Sequence, residues 1–375
     1  MDQRSRFIDA YRVGGFTMTE LCARFQVSRR VGYKWVARYD AEGRKGLADR
    51  SRAPHRCPHK VPDDVAALLC QARRKHSDWG PEKLMDWLRP RYPRVSWPAI
   101  STASDVLKRA GLIKPRRRRY RATHPGVVAP NTHAPNDLWT ADFKGQFRTG
   151  DGEYCYPLTV ADLHARYLLA CQGLRSTQTL AVHAQFERLF REFGLPRAIR
   201  TDNGVPFATT GLHGLSTLSV WWMRLGIQHQ RIQPASPQQN GAHERLHKTL
   251  KRGAIHPARA TLASQQRAFN TFRTEYNDER PHQSLKGVTP SSRYRPSPRP
   301  YPTILPPIEY PSHFVVKDIT AAGTFRLGDR LYFLSNALRH YPVGLEETDD
   351  GLWSLYFCHV LLARINERAG TLTRG

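Results

Sequence analysis

Leu138-Trp139-Thr140-Ala141-Asp142-Phe143 is an apolar run of strand length with one carboxylate near its end. Two more β-branched or aromatic runs follow, Tyr154 to Val160 and Tyr167 to Cys171. Then the pattern alternates. Leu180, Phe186, Leu189, Phe190 and Phe193 fall at helical spacing, with Ser176 or Thr177 as the cap and Gly194-Leu195-Pro196 as the stop. Ala198 to Thr201 reads as a strand ending at Asp202, Leu215 to Leu225 as a helix, and Ile227 to Ile232 as a strand. A long helix carrying Glu244 and another holding Leu262, Phe269, Phe272 and Tyr276 follow. Strands first and alternation afterwards predict a mixed α/β core from about Asn136 to Tyr294.

Upstream, residues 1 to about 50 read as three short helices. Thr17-x-x-Glu20 is a capping box for the second, with Leu21, Phe25 and Val27 as its apolar positions. Ser28 caps a third helix that turns Val31, Trp35 and Val36 inward and Arg29, Arg30, Lys34 and Arg38 outward. A helix, a tight turn and a basic helix suit DNA, the last helix entering the major groove; a small bundle with a solvated charged face is the rival reading. A basic linker (residues 49–60) leads to a second helical unit, residues 62–113, which could be another helix-turn-helix. Its apolar sets are Val65, Leu68 and Leu69, then Leu84, Trp87 and Leu88, then Ile100, Val106 and Leu107. Arg116, Arg117, Arg118 and Arg119 follow as a phosphate-contacting arm. Downstream, the proline-rich stretch 295–302 reads as an extended linker. The last part, 312–367, has strand-length segments at 323–327, 330–334, 353–357 and 360–365, which fit a small β-barrel. The expected divisions are therefore 1–50, 62–113, 130–295 and 312–367.

The balance of 58 Lys and Arg against 32 Asp and Glu leaves a net charge of +26 over 375 residues. A polyanionic partner follows, because each neutralised phosphate releases counterions. No long apolar run supports a membrane partner. The first residues lack the apolar stretch of a secretory signal, and the six cysteines are scattered with no Cys-x-x-Cys pair. Cys57 and His59 in the linker are too few ligands for zinc. A reducing cytoplasm, with nucleoid association through DNA, is the expected setting.

Within this basic chain stand Asp142 near the end of a strand, Asp202 before the Asn203-Gly204 turn, and Glu244 on a helix that also carries His247, Lys248 and Lys251. Ser236 or Asn240 could cap that helix. Magnesium and manganese favour carboxylate oxygens, and two such ions can clamp an in-line displacement at phosphorus. Each of these acids alone reads as a turn or cap residue, as Asp151 and Asp162 do.

Four motifs carry a resemblance: residues 137–143, Arg200-Thr201-Asp202-Asn203-Gly204, residues 236–245, and residues 276–285. In this order they resemble a DDE-type insertion-sequence transposase with a retroviral-integrase-like core. That likeness implies an RNase H-like fold and a two-metal site of Mg2+ or Mn2+ held by Asp142, Asp202 and Glu244. It also implies that Lys251 meets the element's end; Lys248, four residues after Glu244 on the same helix, reads as a further cation for the DNA backbone. The last motif has no derivable catalytic role; Pro281 and His282 suit a helix end and core packing. The segment between Asp202 and Glu244 is longer than the family's usual, through an insertion at residues 211–219. The implied function is a DNA transposase, at least dimeric on DNA, that binds terminal inverted repeats and target DNA and catalyses metal-dependent cleavage and strand transfer. A catalytically silent DNA-binding regulator and an RNase H-like nuclease are the alternatives.

Overall fold

The computed structural model describes residues 3–51, 60–113, 132–209, 214–232 and 241–374. The Arg116–Arg119 arm, Cys57 and His59, the first part of the 211–219 insertion and the caps at Ser236 and Asn240 lie outside the described residues. Two compact units result, residues 1–61 and 62–375.

The first unit is built on caps that the sequence announces. Thr17 and Glu20 close a capping box at the start of α2 (Met18–Arg24), which follows α1 (Gln3–Val13). The Ser28 hydroxyl accepts from the Val31 amide and opens α3 (Arg29–Glu42). Phe7, Ile8, Leu21, Cys22 and Leu47 form the core, and Trp35 meets Phe7 edge-on at 5.3 Å. The helices cross tightly at Gly32, where a β-carbon would lie 2.6 Å from Cys22 Sγ and 3.0 Å from Phe7 Cζ. Arg29, Arg30 and Lys34 are exposed beside Tyr33, as expected. Arg38 is instead half-buried. The turn Gly43–Leu47 folds back on it so closely that a β-carbon at Gly46 would lie 2.2 Å from the Arg38 carbonyl oxygen.

In the second unit, α4 (Asp63–Lys75), α5 (Pro81–Arg91) and α6 (Ile100–Arg109) bury Val65, Leu69, Leu84, Met85, Leu88, Val106 and Leu107. Ile100 departs from the expected set: it opens α6 and is 42% exposed. Trp79, which the sequence did not single out, is fully buried and stacks on His76 at 3.8 Å.

The core is a mixed sheet of β1 (Leu138–Phe143), β2 (Phe147–Arg148), β3 (Tyr154–Asp162), β4 (Leu168–Leu174), β5 (Ala198–Thr201) and β6 (Gln228–Arg231). The order is β4-β3-β1-β5-β6, with β2 paired to the start of β3. β1, β3 and β4 are antiparallel neighbours, whereas β1, β5 and β6 run parallel. Alternate side chains point to opposite faces. On one face Trp139, Ala141, Leu158 and Val160 pack with α7 (Thr179–Phe193) and α8 (Thr217–Arg224) through Phe186, Phe190 and Trp222. On the other, Leu168 and Cys171 pack with α9 (Gly241–Leu250) and α10 (Leu262–Thr274) through Leu246, Leu250 and Phe269. The N-cap of α7 is Gln178, two residues beyond the expected Ser176 and one beyond Thr177, and it makes no side-chain cap bond.

The motif at 276–285 is structural. Asn277 brackets Leu168, accepting its amide proton at 2.8 Å and donating to its carbonyl at 3.0 Å. His282 meets the buried Tyr276 edge-on at 4.8 Å. The same segment receives the helical domain: Arg280 pairs with Asp78 at 3.2 Å, and Lys83 donates to the Pro281 carbonyl at 2.6 Å. After α11 (Pro290–Arg293), the proline-rich stretch is laid on the core and is no free linker. Ser297 donates its amide to the Phe193 carbonyl at 2.8 Å, and Arg299 caps the Pro196 and Leu225 carbonyls.

The C-terminal part differs from the expected barrel. Strands β7 (Val315–Asp318), β10 (Pro342–Asp349), β11 (Leu352–Phe357), β12 (Val360–Asn366) and β13 (Thr371–Arg374) form an antiparallel sheet in the order β13-β12-β11-β10-β7. β8 (Thr324–Leu327) and β9 (Arg330–Phe333) form a separate hairpin. The two pack over a shared core of Phe325, Leu327, Leu345 and Leu355, joined by Val220 and Met223 of α8, without ladder bonds that close a cylinder. β7, β10 and β13 lie outside the expected segments; β10 carries Pro342, Gly344 and a charged end, which hide its strand character.

Two outcomes follow. Gly32→Val should loosen the first unit by about 1–3 kcal/mol through overpacking, seen as faster amide exchange in α2 and α3. Burial, aided by Lys83 and Arg280, lowers His282 to about 3, and burial with Arg231 lowers His229 to about 4. Unfolding frees both rings to bind protons, so stability should be complete above about pH 6.5 and fall as pH drops toward 4. Urea titrations across that range should show a shallower slope for His282→Phe than for the wild type.

Candidate active site

Strand pairing sets Asp142 and Asp202 at corresponding positions on neighbouring strands. The parallel register of β1 and β5 is Leu138↔Ala198, Trp139↔Ile199 and Thr140↔Arg200. Each carboxylate lies two residues beyond the last pair, at the carboxyl ends of neighbouring strands, where open α/β sheets take ligands. Asp202 also holds its own turn. The Gly204 amide donates to its Oδ1 at 3.2 Å, and a β-carbon at Gly204 would lie 3.1 Å from Oδ2. Asn203 donates to the Ile232 carbonyl at 2.8 Å, tying the turn to the end of β6.

Glu244 arrives on α9. The helix buries His243, Leu246, His247 and Leu250 and leaves Glu244 and Lys248 exposed. Thr140 and Asp142 share the sheet face that α9 covers, and Asp142 is paired with Thr159 across β1 and β3. Thr159 Oγ1 lies 2.6 Å from His243 Nε2, 2.8 Å from His247 Nε2 and 3.0 Å from the Asp142 carbonyl oxygen. His243 Nδ1 is 2.9 Å from Thr140 Oγ1. The helix is thus pinned by its histidines beside the β1 carboxylate, with His247 Nδ1 3.9 Å from Asp142 Oδ2.

Burial keeps both rings neutral. It drives His243 well below the ordinary histidine range, with His247 beside it adding to the effect, and lowers His247 to about 4, helped by the Lys144 charge. The 3.9 Å contact with Asp142 is therefore not a salt bridge at neutral pH. Asp142, His243 and His247 bring ligand atoms within 4.8 Å of one another. Among the described residues that is the group of three or more metal-type ligands that converges, and Asp202 and Glu244 stand outside it.

The sequence reading missed His243 and named His247 only as a neighbour of Glu244. The available signal was a His pair at i and i+4 on the same face as Leu246 and Leu250. Its partner Thr159 was hidden, because only the register of β1 with β3 brings it there. Asp162 is the structural acid expected: it is buried, accepts the Asn136 and Ala165 amides at 2.7 and 2.6 Å, and burial raises its pKa. Asp151 holds a turn through Thr149. Lys251 is exposed in the wide turn Lys251–Ile255 that continues α9.

Residues 132–237 and 225–290 match integrase core domain families; residues 3–55 match a helix-turn-helix domain and 31–107 a homeodomain-like domain. The chain is 26% identical over 238 residues to an uncharacterized protein of insertion element IS476 from Xanthomonas euvesicatoria, covering 62% of this chain and 65% of that protein. It is 27% identical over 190 residues to an uncharacterized protein of insertion element IS407 from Burkholderia multivorans, covering 50% of this chain and 65% of that one. The chain thus spans less than two thirds of the length of each, 65%. The magnesium-bound catalytic core domain of HTLV-2 integrase superposes on 43% of this chain and 98% of its own, at 16% identity and a TM-score of 0.35. No helix among the described residues is long and apolar enough to cross a membrane. The likeness drawn from the four motifs is borne out at the level of domains and relatives: the chain joins matches to helix-turn-helix domains with matches to integrase core domains, and it resembles proteins of insertion elements.

Proposed function

We propose that this protein is a DNA transposase that binds the terminal inverted repeats of a mobile element, cuts there and joins the freed end to target DNA. The observation that carries the reading is the placement of Asp142 and Asp202 at adjacent parallel strand ends, with the helix bearing Glu244 held beside Asp142. The donor set fits a hard divalent ion, since these side chains offer carboxylate oxygens at a strand-end opening on a chain of net charge +26. Asp142, Asp202 and Glu244 would hold Mg2+ or Mn2+, two ions per site. Bound there, such ions supply Lewis-acid stabilisation of charge on the attacking and leaving oxygens.

The protein's own residues orient the reaction. A water oxygen attacks phosphorus in line, and the 3′ oxygen leaves. The resulting 3′ hydroxyl then attacks a second phosphodiester, forming one P–O bond as another breaks. Lys248 and Lys251, exposed on and just after α9, lie where they can neutralise backbone phosphates next to Glu244. Arg29, Arg30 and Lys34 with Tyr33 form the groove-reading face of the first domain, with Arg38 as a lesser contact, and Arg116, Arg117, Arg118 and Arg119 an arm between binding and catalytic parts. The working divisions are 1–50, 62–113, 130–295 and 312–367. Joining two ends requires at least a dimer on DNA.

Asp202→Asn and Glu244→Gln should each abolish metal-dependent cleavage of a terminal-repeat duplex while leaving its binding within about twofold. Unchanged cleavage in either variant would remove that residue from the site, and a preference for RNA–DNA hybrid over terminal-repeat duplex would replace transposition with a nuclease. Lys248→Ala and Lys251→Ala should each flatten the dependence of log affinity on log salt by about 1, measured by fluorescence anisotropy; an unaltered slope would place them away from the DNA.

A further inference from the structure

The ring of His247 stands where a ligand of a different kind would meet Asp142. Its Nε2 lies 2.8 Å from Thr159 Oγ1 and its Nδ1 3.9 Å from Asp142 Oδ2. Thr159 has one hydroxyl proton and three polar neighbours: the Asp142 carbonyl at 3.0 Å, His243 Nε2 at 2.6 Å and His247 Nε2 at 2.8 Å. A carbonyl oxygen can only accept, so it takes the Thr159 proton, and both imidazoles donate to Thr159 through Nε2–H. His243 is then engaged at both nitrogens, since its Nδ1 lies 2.9 Å from the Thr140 hydroxyl, whose single proton has the Ala161 carbonyl at 3.3 Å as its other acceptor. His247 keeps a lone pair on Nδ1, on the side of the Asp142 carboxylate. This is how a metal-ligating histidine is held: an outer partner takes one ring N–H and aims the other nitrogen.

We propose that Asp142 Oδ2 and His247 Nδ1 together bind one divalent first-row ion of the Mn(II), Co(II) or Zn(II) class, with Thr159 setting the tautomer of the ring. Bonds of about 2.1 Å to oxygen and nitrogen let two ligand atoms lie up to about 4.2 Å apart, so one ion spans the 3.9 Å gap with a small closing movement. His243 belongs to the convergent group by distance but has both nitrogens engaged by Thr159 and Thr140, so it supports the site from behind. The consequence is selectivity: a nitrogen donor strengthens binding of Mn(II), Co(II) and Zn(II) and does little for Mg(II), which prefers oxygen. The inference rests on Asp142 being a metal-binding carboxylate, as proposed above, and adds a ligand that the four motifs do not assign.

The test uses the full chain. With substoichiometric Mn(II) and 15N-labelled histidine, pulsed EPR of the wild type should show coupling to an imidazole nitrogen, and His247→Asn should lose it. This readout on the wild type needs no variant to fold. In titrations followed by visible absorption, His247→Asn should weaken Co(II) binding at least about tenfold, and Thr159→Val about tenfold. Mg(II) affinity of His247→Asn, read by competition, should stay within about twofold. No histidine coupling in the wild type, coupling that survives in His247→Asn, or equal weakening of Co(II) and Mg(II) would overturn the proposal. Asp142→Asn separates the two readings: loss of all metal binding there, with His247→Asn unaffected, sinks the histidine ligand alone. Unchanged binding in Asp142→Asn sinks the metal role of the carboxylate with it.

Discussion

The parallel ladder between β1 and β5 is the constraint on which the proposed site depends. Two segments about sixty residues apart run side by side in matched register, so Asp142 and Asp202 fall at corresponding positions, each two residues past the last pair. The antiparallel pairing of β1 with β3 then decides what stands behind Asp142. A slip of one residue in either ladder would turn Asp142 toward Trp139's layer and bury a carboxylate among Phe186, Phe190 and Trp222. The apolar face packed by α7 and α8 therefore guards the register that the polar face needs.

Thr159 is the second point of control. A fully buried hydroxyl joins two buried histidines and a strand carbonyl, and a polar node of this kind is costly unless every partner is satisfied. Satisfied, it gives α9 one rotation and one depth against the sheet. That rotation leaves Glu244 and Lys248 on the open side and His247 against Asp142. Leu246 and Leu250 supply adhesion for the same helix, but hydrophobic contact is non-directional and would tolerate other rotations.

The segment after α10 binds the second unit together. Asn277 clamps β4, Arg280 pairs with Asp78 between α4 and α5, Pro281 receives Lys83 of α5, and the stretch 295–302 returns over the end of α7 and the residues that follow it. The sequence assigned this motif to packing and was right, yet it treated the proline-rich stretch as a linker. Composition shows that such a stretch is extended; it does not show whether carbonyls such as those of Phe193 and Pro196 are waiting for its donors.

Local chemistry was legible throughout. The Thr17–Glu20 box, the Ser28 cap, the turn after Asp202 and the apolar stripe of α7 each involve residues a few positions apart, and such interactions are written in short spacings. The placement of Asp142, Asp202 and Glu244 on two strand ends and a helix was readable for the same reason. What only the tertiary structure decided are the contacts across ladders and layers. These are the partnership of Thr159 with His243 and His247, the folding of residues 43–47 over Arg38, and the open pairing of the C-terminal strands. Each depends on which distant segment lies opposite, and the period of a strand or helix says which face a side chain takes but not what it will meet there.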